Sequence, residues 1–140
     1  MADAVTTRVI LQTPFVIGIH MTSISDGTGE TAALKLDKST LLAQDGAEPA
    51  ALDLVQVRWN TQGLTNVRLL WDHTTDDVAM VMAGSGEEYF DGPPTTTAIS
   101  RGALADPRST GGPGDILLTT IGHVAGSSYD ITAWFAKQND

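Results

Sequence analysis

The sequence predicts an all-β domain, a two-sheet antiparallel sandwich of jelly-roll type, on three observations. Several segments alternate apolar and polar side chains with a period of two. Val55, Val57 and Trp59 alternate with Gln56, Arg58 and Asn60, and Tyr129, Ile131, Ala133 and Phe135 alternate with Asp130, Thr132, Trp134 and Ala136. That period places successive side chains on opposite faces of a sheet. Turns rich in Gly, Thr and Asp separate the segments, and no convincing helical pattern extends beyond about ten residues. The count, roughly eight strands, suits a two-sheet sandwich better than an open sheet, with a closed barrel as the structural rival.

The first strand pair is expected at 5–12 and 15–25. Pro14 lies between them, where a residue without an amide proton does not interrupt a ladder. The run Ser25-Asp26-Gly27-Thr28-Gly29-Glu30 is a turn, because Asp-Gly supplies positive φ readily. A third strand follows at 31–37, and 40–51, with Asp45-Gly46 and Pro49, has room for a short helical turn before a loop. Segments 52–59 and 66–71, linked through 60–63, read as neighbouring antiparallel strands. Residues 72–77 form a polar turn and 78–83 the returning strand, with 85–89 either continuing that ribbon or opening the next loop. From 91 to 114 the composition shifts to Gly, Pro, Thr and Ser, predicting a long loop of the kind that is usually functional or mobile. Segments 116–121 and 128–137 make a terminal hairpin.

The 140 residues make one domain, 1–140, large enough to fill a core without metal or disulfide. Hydrophobic content of 41% against 18% charged residues argues against disorder. Cysteine is absent, so folding needs no oxidising compartment. No apolar run is long enough to span a bilayer as a helix, and the first residues lack the basic-then-apolar pattern of a secretory signal. The formal charge of −9 repels phosphate backbones and anionic lipid heads, and the eight basic residues are scattered. Neither a nucleic acid nor a membrane is therefore expected as a partner.

No enzyme constellation stands out, and no catalytic, cofactor-binding or metal-ligating residue is expected. Ser85 and Ser127 lie in glycine-flanked turns without a nucleophile-elbow motif. His20, His73 and His123 are widely separated. Asp72-His73-Thr74-Thr75-Asp76-Asp77 offers three carboxylates to a hard cation, yet lacks the calcium-loop spacing. A solvated turn held by Asp oxygens accepting backbone hydrogen bonds is the expectation, with Asp72 as the acceptor. Gly27-Thr28-Gly29 and Gly111-Gly112-Pro113-Gly114 lack the phosphate-loop pattern and read as turns. Trp59 and Trp71 share the parity of core residues. Trp134 does not, and is expected under a loop, in an interface with another subunit, or in carbohydrate stacking.

The stretches Ser25-Asp26-Gly27-Thr28-Gly29-Glu30, Val67-Arg68-Leu69-Leu70-Trp71-Asp72 with Thr74-Thr75-Asp76, and Gly114-Asp115-Ile116-Leu117-Leu118-Thr119-Thr120 with Gly122-His123 carry a resemblance. Together they resemble a family of small virion structural proteins of tailed bacteriophages. The likeness runs over about 25–135 and is least distinctive at 87–109. It implies a non-enzymatic virion component without catalytic residues or cofactors. The role expected is a capsid decoration or cement protein on the outer capsid surface, bridging major capsid subunits and self-associating as a homotrimer. A tail, neck or baseplate structural protein is the alternative, and a glycan-binding module a further one. The chain departs from the likeness in continuing past Phe135 with Ala136-Lys137-Gln138-Asn139-Asp140, so an interface at that end differs.

Overall fold

Period-two segments become strands throughout the described residues, 4–43, 46–90 and 104–138 of a computed structural model. In chain order these are β1 (Ala4–Gln12), β2 (Val16–Asp26), β3 (Ala33–Leu36), β4 (Ala51–Gln62), β5 (Asn66–Trp71), β6 (Asp77–Met82), β7 (Ser85–Tyr89), β8 (Ile116–Ile121) and β9 (Ala125–Gln138). One 3-10 turn, Lys38–Thr40, stands just ahead of the segment expected to hold it. Asp37 caps it, its carboxylate accepting the Ser39 amide at 2.9 Å. Residues 91–103, most of the expected long loop, lie outside the described residues.

The strands form two antiparallel sheets, one ordered β1-β2-β9-β4-β7 and the other β3-β8-β5-β6. The pairings nest: β2 with β9, β3 with β8, β4 with β7 and β5 with β6. The two-sheet sandwich expected from the sequence is therefore the fold. The expected pairing of 5–12 with 15–25 is present as β1 with β2.

Two pairings differ from expectation. β4 and β5 were expected side by side, and β8 and β9 as a hairpin, but each couple is divided between the sheets. An apolar face is buried equally well beside a neighbour or across a sandwich, so periodicity does not distinguish the two arrangements. Gly63 and Gly122, at φ 71° and 76°, lie in the β4–β5 and β8–β9 links, two of those at which the chain changes sheet.

The core is filled by the inward residues of both sheets. Ile17, Ile19, Ile131, Ala133 and Phe135 meet Val67, Leu69, Ile116 and Leu118, all fully or almost fully buried. Trp71 is buried in this layer, and its indole N–H donates to the Leu52 carbonyl of the opposite sheet at 2.8 Å. Trp59 packs against the core while partly exposed, its N–H on the Ala83 carbonyl at 3.1 Å. Five strands face four, so β1 extends past the opposing layer and all nine of its residues are exposed.

Candidate functional site

The 72–77 segment does reverse the chain between β5 and β6, but a different aspartate from the expected one closes it. Asp76, not Asp72, accepts the His73 amide on its carboxylate at 3.2 Å. Asp72 acts through its backbone, which bonds to Asp115 and Gly114, both at 2.9 Å, while the Thr74 amide reaches the Thr110 carbonyl at 3.1 Å. The turn is thus laced to the last part of the expected long loop, just ahead of β8. Gly112 permits this contact: at φ 69°, a Cβ there would come within 2.7 Å of the His73 Cα.

His73 turns inward from this turn, its side chain only 5% exposed. Its Nδ1 lies 2.8 Å from the Gly111 carbonyl, and its Nε2 lies 2.7 Å from Asp106 Oδ1 and 3.8 Å from Asp77 Oδ2. A carbonyl only accepts, so Nδ1 carries the proton. Asp106 is positioned by its own amide, which donates to Asp53 Oδ1 at 3.0 Å, and its Oδ1 also accepts the Arg108 amide at 2.9 Å. Nearby, Asp115 accepts the Lys38 amide at 2.8 Å, and the Lys38 ammonium reaches the Pro49 carbonyl at 2.9 Å and Glu48 at 3.3 Å. An open cavity of about 430 Å³ adjoins His73, Asp106, Lys38 and Gly111.

Burial pushes the Asp53 and Asp115 carboxyls above the ordinary carboxylate range. Burial pulls His73 down, but its bonds to Asp106 and the Gly111 carbonyl, with the charges of Asp106 and Asp77, outweigh it and raise the ring. The sequence offered no signal for Asp106 in this cluster. It lies within the expected long loop, 33 positions from His73, and only the fold brings the two together.

The expected serines are placed elsewhere. Ser127 serves a turn, accepting the Val124 amide and donating to the Gly63 carbonyl, both at 2.9 Å, while Ser85 is exposed on β7. His20 pairs with Asp130 at 2.6 Å on the outer face of the five-stranded sheet. His123 packs against Gly29, so the 25–30 and 114–123 stretches of the resemblance meet in one corner. There the Thr120 amide donates to the Glu30 carbonyl and the Glu30 amide to the Thr120 hydroxyl, both at 2.9 Å, the Glu30 carboxylate accepts the Tyr129 hydroxyl, and the Lys35 ammonium lies 2.5 Å from that carboxylate.

The second surface of note is the β1 edge. β1 holds Val5, Val9, Ile10 and Leu11 in solvent, with Arg8 as its one charge and no carboxylate. β7, at the other edge of the sheet, is short and carries Glu87 and Glu88. Charge and brevity guard β7 from unplanned pairing, whereas β1 is longer and has only Arg8 and one register shift, between Val9 and Leu11, to set against it. On the outer face beside β1, Trp134 lies half-buried on Gly18 and next to Ile10.

No protein-family model, curated protein or solved structure matches the chain.

Proposed function

We propose that the chain is a non-enzymatic virion structural protein, a capsid decoration or cement protein that binds the outer shell surface and bridges major capsid subunits. The observation that carries this reading is the β1 edge, nine exposed residues with a single charge. An open strand edge presents unpaired N–H and C=O groups, and a strand of another chain added there satisfies them. Val5 and Val9, both exposed, supply apolar contacts beside that ladder. The partner to which the reading commits is the major capsid protein. A chain of charge −9 meets least repulsion at an edge that carries no carboxylate.

Two further features support the reading. The nested strand pairing supports the jelly-roll reading of the sandwich, an architecture used in virion proteins. The stretches at 25–30 and 114–123 that carry the phage-family resemblance form a single packed corner, so they are maintained together by the fold. Homotrimeric association and a station on the outer capsid belong to the same proposal. A tail, neck or baseplate station is the alternative within the class.

Co-sedimentation with purified shells tests the edge. Val5→Lys with Val9→Lys alters two exposed positions and leaves the core untouched. The doubly substituted protein, folded by circular dichroism, is expected to bind shells roughly tenfold more weakly or worse. Unchanged binding would remove β1 from the interface.

A further inference from the structure

The geometry points to a divalent transition-metal site, of the zinc class, formed by His73 Nε2, Asp77 Oδ2 and Asp106 Oδ1. One ligand atom from each of the three residues lies within 4.8 Å of the others. Asp77 comes from the end of the β5–β6 turn and Asp106 from the described part of the expected long loop, so an ion here would fasten the 104–114 segment to the sandwich.

The case begins with the imidazole. Its Nδ1 proton is committed to the Gly111 carbonyl, an orientation that backbone carbonyls commonly impose on metal-binding histidines. A neutral ring then aims the Nε2 lone pair at carboxylate oxygens, so positive charge is required between them. A proton on Nε2 satisfies Asp106 but leaves Asp77 Oδ2, which is buried and has no hydrogen-bond partner among the described residues, 3.8 Å away. A cation among the three atoms satisfies both.

Charge favours the same answer. Asp53, Asp106 and Asp115 are buried and Asp77 is half-buried. Lys38, the buried cation beside them, is already engaged by Glu48 and the Pro49 carbonyl. A divalent ion offsets two carboxylates and allows the imidazole to stay neutral. Zinc bonds of about 2.0–2.2 Å place ligand atoms roughly 3.3 Å apart. The observed 2.7 Å and 3.8 Å lie on either side of that spacing, so small side-chain shifts complete the site. One nitrogen with two oxygens suits zinc better than calcium, which prefers oxygen alone. His73 and Asp106 also line the adjoining cavity, a source of water for a fourth ligand.

Calorimetric titration of untagged, chelator-stripped full-length protein with Zn²⁺, paired with thermal melts, tests this. One equivalent is expected to bind and to raise the melting temperature. Asp77→Asn, which removes no hydrogen bond at Oδ2, should remain folded and bind about tenfold more weakly or worse, while Asp72→Asn should bind as the parent does. The proposal is overturned if the parent binds no Zn²⁺, or if Asp77→Asn binds with unchanged affinity. Calcium binding that depends on Asp72 and Asp76 would overturn it equally, by placing the ion on the other carboxylates of the turn.

Discussion

Trp134 fills the space above Gly18 on the outer face of the five-stranded sheet: a Cβ on Gly18 would come within 2.8 Å of the indole. The two residues are direct partners in the β2–β9 ladder. Glycine normally weakens a strand interior, and here it makes room for the ring. The unmatched parity of Trp134 thus has a local explanation.

Gly18→Ala is therefore expected to destabilise the domain by about 1–2 kcal/mol, measured by urea unfolding. With Trp134→Ala already present, the same substitution should be neutral or stabilising, because the clash is gone and alanine suits a strand better. Equal effects in both backgrounds would show that the indole does not constrain Gly18.

The Glu30–Lys35 pair lies almost out of solvent, with side chains 9% and 3% exposed. Lys35→Met alone leaves a buried carboxylate without its cation and should cost about 3–5 kcal/mol in chemical denaturation. Adding Glu30→Gln should recover much of that loss, because the uncompensated charge is then gone. A double variant no more stable than Lys35→Met would contradict this.

Much of the architecture was legible in the residues themselves. Ile131, Ala133 and Phe135 announced the inward face of β9, Trp71 its place in the core, and Pro14 the corner between β1 and β2. Sheet membership was not legible. The inward faces of β4 and β5 bury each other across the sandwich, and alternation reads the same for that arrangement as for lateral pairing. The 72–77 turn was recognisable by its composition. The His73–Asp106 contact was not, since 33 positions separate the two residues and the fold alone joins them. The exposure of β1 was equally hidden, because Val5 and Val9 carry the apolar signature of a buried strand.

Lys137 provides a pH test. Its ammonium donates to the Thr13 and Leu42 carbonyls at 2.7 and 2.9 Å, and burial pushes it below the ordinary lysine value of 10.5. The folded chain then releases this proton before the unfolded chain does. Between the two values the unfolded state binds more protons, so this residue's contribution to stability increases as pH rises through the window below 10.5. The stability of the parent relative to Lys137→Met should increase as pH is raised from neutrality toward that value. A flat difference would contradict the shift.

Self-association is tested by sedimentation velocity across a dilution series. A homotrimer is expected to persist at micromolar concentration, joined through mainly apolar contacts because the chain carries −9. A monomer at every concentration would limit trimer formation to the particle surface, and a stable dimer would contradict the expected symmetry.

The central claim, that the chain decorates a capsid, is tested most directly by its copy number in purified virions, measured by quantitative mass spectrometry against the major capsid protein. A decoration protein predicts a number comparable with the capsomers or quasi-threefold positions of the shell. A low number, matching a single vertex or the tail, or absence from the particle, would contradict it.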